Sequence, residues 1–193
     1  MIDLADIERL LAARRPCLEP TRGRTRTAVA MILRETPGGA EMLFIERATR
    51  HGDPWSGDLA FPGGRREKGD GDPLETARRE TLEEIGVDLR AEACLGRLDD
   101  LVGTRLPVLV ACFAFALRAP TVLRLSEEVE QGFWVPLPHL ADPARRLEVE
   151  IDYRGKKRLQ PAMRLLDPGR RLLWGITYRL VIQFLQLLPE KTP

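Results

Sequence analysis

The pattern of apolar and polar positions predicts a series of strands before the first well-marked helix. Residues 25–47 hold two runs rich in β-branched residues, separated by a Pro-Gly-Gly turn, which is typical of a hairpin. The apolar run from Arg105 to Leu117 predicts a buried central strand. Two shorter strands are predicted in the segments DLAFPGG and GFWVPL. Because strands outnumber the helices that lie between and after them, the pattern predicts an α/β fold with helices covering a mixed sheet.

The sequence predicts a single domain over residues 1–193, with additional elements at both ends of the chain. Residues 1–24 contain a short amphipathic helix. Residues 147–193 begin with alternating positions around an Arg-Gly-Lys turn, which predicts a peripheral hairpin followed by a C-terminal helix.

The C-terminal apolar run is too short and too interrupted to predict a membrane span. It extends from Arg171 to Leu188 and contains Arg179, Gln183 and Gln186. We expect a helix that packs against the protein itself. A homodimer interface along this helix and the hairpin explains their apolar positions equally well.

The best-marked helix extends from about Pro73 to Ile85. Asp72 is a favourable N-cap, proline suits the first helical position, Glu75 can complete a capping box, and Gly86 can end the helix. This helix is the element on which the candidate chemistry depends.

Three carboxylates crowd the C-terminal half of this helix. Glu80, Glu83 and Glu84 share one face, whereas an apolar stripe is formed by Leu74, Ala77, Thr81, Leu82 and Ile85. Acidic residues are unfavourable there, because they face the negative end of the helix dipole and repel one another. The cluster is either a solvated face balanced by Arg78 and Arg79 or a site for hard divalent cations.

The preceding loop favours the cation site. The sequence Phe-Pro-Gly-Gly brings accessible backbone to the end of a strand, and Arg65, Arg66 and Lys68 follow it. Metal ligands and anion-binding cations would then lie side by side.

Composition narrows the alternatives further. The 30 basic and 29 acidic side chains nearly cancel, which argues against nucleic acid or an anionic membrane as a partner. Cys17, Cys94 and Cys112 have neither disulfide-framework nor zinc-site spacing. A cytoplasmic protein is the expectation that follows.

The segment from the glycine turn to RETLEEIGV resembles the signature of the Nudix hydrolase family. This resemblance implies an α/β/α sandwich with a mixed β-sheet. It also implies an enzyme that uses Mg²⁺ or Mn²⁺ to cleave a diphosphate linked to another moiety, hence a small nucleotide-type substrate.

The resemblance assigns roles to individual residues. Glu80, Glu83 and Glu84 would bind the metal ions together with the Gly63 carbonyl, and Arg79 would hold the carboxylates in place. Two departures stand out in the signature. Its loop acid is Asp70 rather than glutamate, and Asp70 lies one residue farther from Arg79 than in the commonest pattern of the family. Thr81 replaces an apolar residue at a position that we expect to be half-buried.

Hydrolysis also requires a group that accepts a proton from the attacking water. The candidates are the helix glutamates Glu83 and Glu84 and a loop carboxylate, for which we choose Glu128; a solvated acidic loop is the alternative.

The candidate substrate contacts are Arg47, Arg65 and Trp55. For Arg47 an ordinary surface role is the alternative, and for Trp55 simple packing.

The stretch LFIERATRHGDPWSGDLAFPGGRR is similar to the corresponding part of the coenzyme A diphosphatase branch. Trp55 stands where that branch has histidine, and TRLPVLVACF lacks its Pro-x-Gly-Phe run. On the similarity, and despite these two departures, coenzyme A or acyl-coenzyme A is the leading substrate. ADP-ribose, dinucleoside polyphosphates and nucleoside triphosphates are the alternatives. A non-catalytic nucleotide sensor is disfavoured, because all three glutamates of the signature are present.

Overall fold

The computed structural model describes residues 3–49, 56–104, 106–153, 156–166 and 171–189. Its larger sheet has eight strands. They are β1 (Thr25–Thr36), β2 (Gly39–Arg47), β3 (Leu59–Ala60), β4 (Gly63–Arg65), β5 (Ala93–Arg97), β6 (Leu101–Val102), β7 (Val108–Ala116) and β8 (Val129–Pro136). A smaller sheet contains β9 (Arg146–Tyr153), β10 (Lys156–Met163) and β11 (Leu173–Trp174).

The helices are α1 (Leu4–Ala12), α2 (Pro73–Ile85), α3 (Leu137–Ala141) and α4 (Gly175–Leu187), with a short 3₁₀ turn at Pro143–Arg145. No helix in the described part of the chain is long and apolar enough to cross a bilayer.

The predicted hairpin and central strand are confirmed. β1 and β2 pair as antiparallel strands from Leu33↔Met42 to Thr36↔Gly39. β7 lies between β1 and β5, runs parallel to β1 and is buried along its whole length. Parallel pairing with both faces covered explains why β7 is a continuous apolar run rather than an alternating one.

The strands β1 and β2 pair with each other only near their turn. Farther along, β1 pairs with β4 through Val29↔Gly63, and β2 pairs with β3 through Ile45↔Ala60. The Phe-Pro-Gly-Gly turn therefore lies between the separated halves of the hairpin, with α2 packed against β1 and β4.

Helices cover both faces of the large sheet, which confirms the predicted α/β class. On one face α2 packs over alternate residues of the central strands, including Ala30, Ile32, Ala111 and Phe115. On the opposite face, one apolar cluster joins the sheet to α1 through Ile7 and Leu11 and to α4 through Leu180, Val181 and Phe184. The single-domain division of the chain stays a prediction that this shared core supports.

The predicted bounds of α2 are confirmed, but parts of its apolar stripe are wrong. Asp72 caps the helix by accepting a hydrogen bond from the Glu75 amide at 2.9 Å, and Gly86 ends it with φ 71°. Leu82 is 40% exposed, whereas Glu84 is buried. Thr81 is fully buried rather than half-buried, and its hydroxyl donates to the Ala77 carbonyl at 2.7 Å, which satisfies the polar group inside the helix.

Candidate active site

The glycine turn brings the backbone against α2. Gly63 has φ 151°, and a Cβ at this position would clash with the Ala28 carbonyl oxygen on β1. A Cβ at Gly64 would overlap the Glu80 carboxylate. Gly63 therefore requires glycine for its strand pairing, whereas a side chain at Gly64 would displace the Glu80 carboxylate from its place beside the turn.

Arg79 joins the loop after β4 to α2. Its Nε and Nη2 atoms donate to the two carboxylate oxygens of Asp70 at 3.0 and 3.1 Å, and Nη2 also donates to the Arg65 carbonyl at 3.0 Å. Asp70 is 7% exposed and accepts two further bonds at 2.9 Å, from the Thr76 hydroxyl and the Glu67 amide. The hydrogen bonds from Arg79 are the main reason that the pKa of Asp70 lies far below its usual range.

Arg79 also contacts two of the signature glutamates. Its guanidinium lies 3.0 Å from a Glu80 carboxylate oxygen and 2.9 Å from one of Glu83. The expected role of Arg79, to hold the carboxylates in place, agrees with this geometry. Arg78, which the solvated-face alternative needed as a counter-charge, instead pairs with Glu75 at 2.7 Å.

Glu84 is the most buried of the glutamates, with 2% of its surface exposed. Its Oε2 accepts the Gly63 amide at 2.9 Å, and its Oε1 lies 3.3 Å from the Arg47 guanidinium. Burial raises the pKa of Glu84 to about 7, and the nearby negative charges of Glu80 and Glu128 add to the shift. Burial likewise raises the pKa of Glu80, with contributions from Glu83 and Glu128.

The loop that carries Glu128 is attached to the C-terminal end of α2. The Arg124 and Ser126 amides donate to the Ile85 and Glu84 carbonyls, each at 2.9 Å. These bonds satisfy carbonyls that have no partner within the helix. The Glu128 carbonyl accepts the Ala48 amide at 2.8 Å, so its backbone is also fixed to the end of β2.

Several of these residues line one cleft of about 580 Å³. Its acidic part contains Glu80, Glu84 and Glu128, beside Arg47 and the backbone of Gly63–Arg65. The remaining walls are mainly apolar and include Val29, Phe61, Leu106, Val108, Ile176 and Leu180. This combination can hold a charged group at one part and a less polar moiety over the sheet.

The structure thus brings together six of the nine residues named from the sequence: Arg47, Gly63, Arg65, Glu80, Glu84 and Glu128. Glu83 and Arg79 do not line the cleft; the Glu83 side chain is 57% exposed and pairs with Arg79. Trp55 lies outside the described residues.

Sequence reasoning missed the contribution of the C-terminal segment to the cleft. Trp174, Ile176, Thr177 and Arg179 all line it. The segment carries no motif, and its apolar composition predicted only packing, so its nearness to the acidic residues depends on the tertiary fold.

No group of three His, Cys, Asp or Glu side chains in the described ranges is gathered closely enough to form a ready-made metal site. Glu80 and Glu84 instead pair with Arg79 and Arg47. The donor set nevertheless suits a hard divalent cation. Carboxylate oxygens are the preferred ligands of Mg²⁺ and Mn²⁺. Burial, together with neighbouring carboxylates, raises the pKa of Glu80 and of Glu84.

Residues 24–158 match the model of the NUDIX domain. The chain therefore belongs to the Nudix hydrolase family and is an enzyme of that class. The family resemblance inferred from the signature is confirmed.

Among its relatives, the human mitochondrial coenzyme A diphosphatase is 32% identical over 176 residues, which cover 89% of this chain and 73% of that protein. An uncharacterized protein of Schizosaccharomyces pombe is 42% identical over 119 residues. That match covers 58% of this chain and only 36% of the yeast protein's length.

Solved structures support the fold. A MutT/nudix family protein from Enterococcus faecalis has a TM-score of 0.54 at 16% identity, with 94% of this chain and 68% of that chain covered. The DR0079 protein from Deinococcus radiodurans also has a TM-score of 0.54, at 19% identity, with 88% and 87% covered.

Proposed function

We propose that this Nudix hydrolase cleaves the diphosphate linkage of coenzyme A or acyl-coenzyme A with the help of a divalent metal ion. The observation that carries the proposal is the 32% identity with a human protein named as a coenzyme A diphosphatase, extending over 89% of this chain. The similarity of the segment before the glycine turn to that branch supports the same substrate.

Mg²⁺ or Mn²⁺ would be held by Glu80 and Glu84 with Glu83 and the Gly63 carbonyl as further ligands. When bound, such an ion neutralises the diphosphate and lowers the pKa of a coordinated water. Burial and nearby negative charges make the carboxylates of Glu80 and Glu84 costly to ionise alone, so a cation held by them would be stabilising.

The protein's own side chains supply the remaining functions. Glu128 accepts the proton of the attacking water, because its carboxylate lies beside Glu80 and Glu84 in the same cleft. Arg65 and Arg47 contact the phosphate oxygens through charge-assisted hydrogen bonds. Arg79 is a positioning residue, since it holds Glu80 and Glu83 relative to the loop.

The substrate is tested by a hydrolysis panel with Mg²⁺ or Mn²⁺. It contains coenzyme A, acyl-coenzyme A, ADP-ribose, diadenosine polyphosphates and nucleoside triphosphates, with products identified by mass. We expect coenzyme A to yield phosphopantetheine at the highest kcat/KM, and addition of EDTA to abolish the reaction. Preference for another compound would overturn the substrate assignment while leaving the enzyme class intact.

The site is tested by three isosteric variants. Glu84→Gln and Glu128→Gln should each lower kcat by about a hundredfold or more, because each removes a charge that acts on the reacting groups. Glu127→Gln is the matched control, since Glu127 is exposed and does not line the cleft. Equal activity of Glu128→Gln and Glu127→Gln would remove Glu128 from the proposed mechanism.

A cytoplasmic location follows from the cysteine pattern, although several relatives are named for mitochondria or peroxisomes. A measurement of the protein's mass in solution distinguishes a homodimer from a monomer. The nearly balanced charge argues against nucleic acid or an anionic membrane as a partner.

A further inference from the structure

One wall of the cleft comes from outside the segment that matches the family. The NUDIX match ends at residue 158. Gln160 of β10, Trp174 of β11 and Ile176, Thr177 and Arg179 of α4 nevertheless line the same cleft as Glu80 and Glu84. This C-terminal wall is therefore a feature of this chain beyond the matched domain, and it is placed to select among substrates.

The C-terminal wall is firmly attached to the large sheet. The Trp174 Nε1 atom donates to Asp58 at 3.1 Å, and the Arg171 Nε atom donates to Glu46 at 3.0 Å. Gly57, with φ 72°, leaves room for the Arg171 guanidinium where a Cβ would overlap it. These contacts and the buried side chain of Leu180 fix the first turns of α4 beside the cleft.

Arg179 is the cation that this wall adds to the cleft. Its side chain is part-buried, and its Nη1 atom donates to the Val102 carbonyl at 2.9 Å. That bond is the only one that its guanidinium makes among the described residues, which also place no carboxylate within 4.0 Å of it. Asp99, near the following turn of α4, is bonded instead to Arg14 and Gln183.

A guanidinium has five N–H donors, so most of those of Arg179 are available for a ligand. A part-buried cation gains most from an anion that accepts two hydrogen bonds, and phosphate matches this fork geometry. Thr104, two residues after Val102, also lines the cleft.

We propose that Arg179 binds a phosphate monoester of the substrate that is separate from the cleaved diphosphate. Arg47 and Arg65, which the proposed function assigns to the diphosphate, line the cleft with the acidic residues, whereas Arg179 belongs to the C-terminal wall and can serve a different group. On the proposed function, on which the identity of the substrate rests, this group is the 3′-phosphate that distinguishes coenzyme A from dephospho-coenzyme A. Arg179 is then a specificity-determining residue.

The test compares the binding of adenosine 3′,5′-bisphosphate and AMP by calorimetry, with Mg²⁺ and at constant ionic strength. We expect the wild-type protein to bind the bisphosphate about tenfold to a hundredfold more tightly than AMP, because charge-assisted hydrogen bonds to the additional phosphate contribute binding free energy of that size. Arg179→Met should remove this preference, and Arg179→Lys should retain only part of it. Arg9→Met is the charge-matched control, because Arg9 is an exposed residue of α1 that does not line the cleft.

Equal binding of the two nucleotides by the wild-type protein would overturn the proposal. So would an undiminished preference in both Arg179 variants. If Arg179→Met does not fold, the wild-type preference and its reduction in Arg179→Lys still decide the question. The ratio of kcat/KM for coenzyme A over dephospho-coenzyme A should fall in parallel.

The two proposals fail in different ways. Absence of coenzyme A hydrolysis, with a bisphosphate preference that depends on Arg179, would overturn only the proposed substrate. Hydrolysis of coenzyme A with a bisphosphate preference that is independent of Arg179 would overturn only the inference about this residue.

Discussion

At the scale of single residues, Arg79 and the acids around it organise the candidate site. Arg79 contacts Arg65 at the end of β4, Asp70 in the following loop, and Glu80 and Glu83 on α2. The longer spacing between Asp70 and Arg79 did not allow a role to be assigned to Asp70 from the sequence. In the structure Asp70 is the buried anion that orients Arg79, and Arg79 in turn orients the glutamates.

Asp70→Asn should lower the free energy of unfolding by about 2–3 kcal/mol at pH 7, because it leaves Arg79 without its buried partner. The pKa of Asp70 is lowered from 3.8, so its stabilisation is complete at higher pH. It is lost progressively as the pH falls below about 4 towards the lower folded-state pKa. Urea unfolding at pH 7 and pH 3 should show a smaller difference from wild type at pH 3.

The control for this variant is Asp72→Asn, because Asn caps a helix about as well as Asp does. The same loss of stability in both variants, or a difference that does not change with pH, would contradict the role given to the Asp70–Arg79 pair.

Gly64→Ala should impair activity without unfolding the protein. The added methyl group meets the Glu80 carboxylate, which is the mobile end of a long side chain and can move aside. Displacement of this carboxylate should reduce kcat/KM by about tenfold to a hundredfold, whereas the unfolding free energy should change by less than about 1 kcal/mol. Gly71→Ala is the control, since a Cβ there has no neighbour within 4 Å. Activity of Gly64→Ala equal to that of this control would argue against a fixed position for Glu80.

At the scale of elements, the C-terminal end of α2 connects the two acidic segments of the site. Gly86 turns the chain with φ 71°, and the loop between β7 and β8 bonds the Ile85 and Glu84 carbonyls through the Arg124 and Ser126 amides. Glu128 is thus placed by backbone contacts that begin at the same helix end as Glu84. The helix end that looked unfavourable for acids is stabilised by these amides as well as by the arginines.

Gly86→Ala should destabilise the protein and lower activity together. A left-handed conformation costs a residue with a Cβ about 1–2 kcal/mol. The new Cβ would also lie 2.8 Å from the Arg124 Cβ, and the contact should shift the loop that carries Glu128. Thermal melting and kcat are the measurements. Gly23→Ala separates the cost of the left-handed conformation from that of the Arg124 contact, because Gly23 has φ 76° but no atom within 4 Å of an added Cβ. An equal effect of the two substitutions would contradict a contribution from the Arg124 contact.

At the scale of the whole molecule, the two chain ends complete the core that supports the site. Side chains of α1 and α4 join the same apolar cluster as β1, β2 and β7. The first turn of α4 lines the cleft while Phe184, farther along the helix, is buried in that cluster. Stability of the core and the shape of the cleft therefore depend on one helix.

Phe184→Ala should cost about 3–5 kcal/mol of unfolding free energy, because a fully buried aromatic ring leaves a cavity. Gln186→Ala on the exposed side of α4 should stay within about 0.5 kcal/mol of wild type. Chemical denaturation followed by circular dichroism measures both. A small effect at Phe184 would show that α4 contributes little to the folded core.

Local signals predicted α2, the first hairpin and the central strand β7. The caps at Asp72 and Gly86, the turn in the first hairpin and the apolar run of β7 act over a few neighbouring residues, so periodicity and turn chemistry were sufficient to locate them. The exposure of Leu82 and the burial of Glu84 were not predicted, because which face of α2 is covered depends on the strands and the loop that pack against it.

The sequence by itself determined the class of enzyme, the acidic helix and the glycine turn, since all of these lie within about 25 contiguous residues. Only the tertiary structure decided which side chains share the cleft. Glu128, Arg47 and Arg179 come from three distant parts of the chain. Their meeting is set by strand register and helix packing over long sequence separations, and no local pattern of residues encodes those contacts.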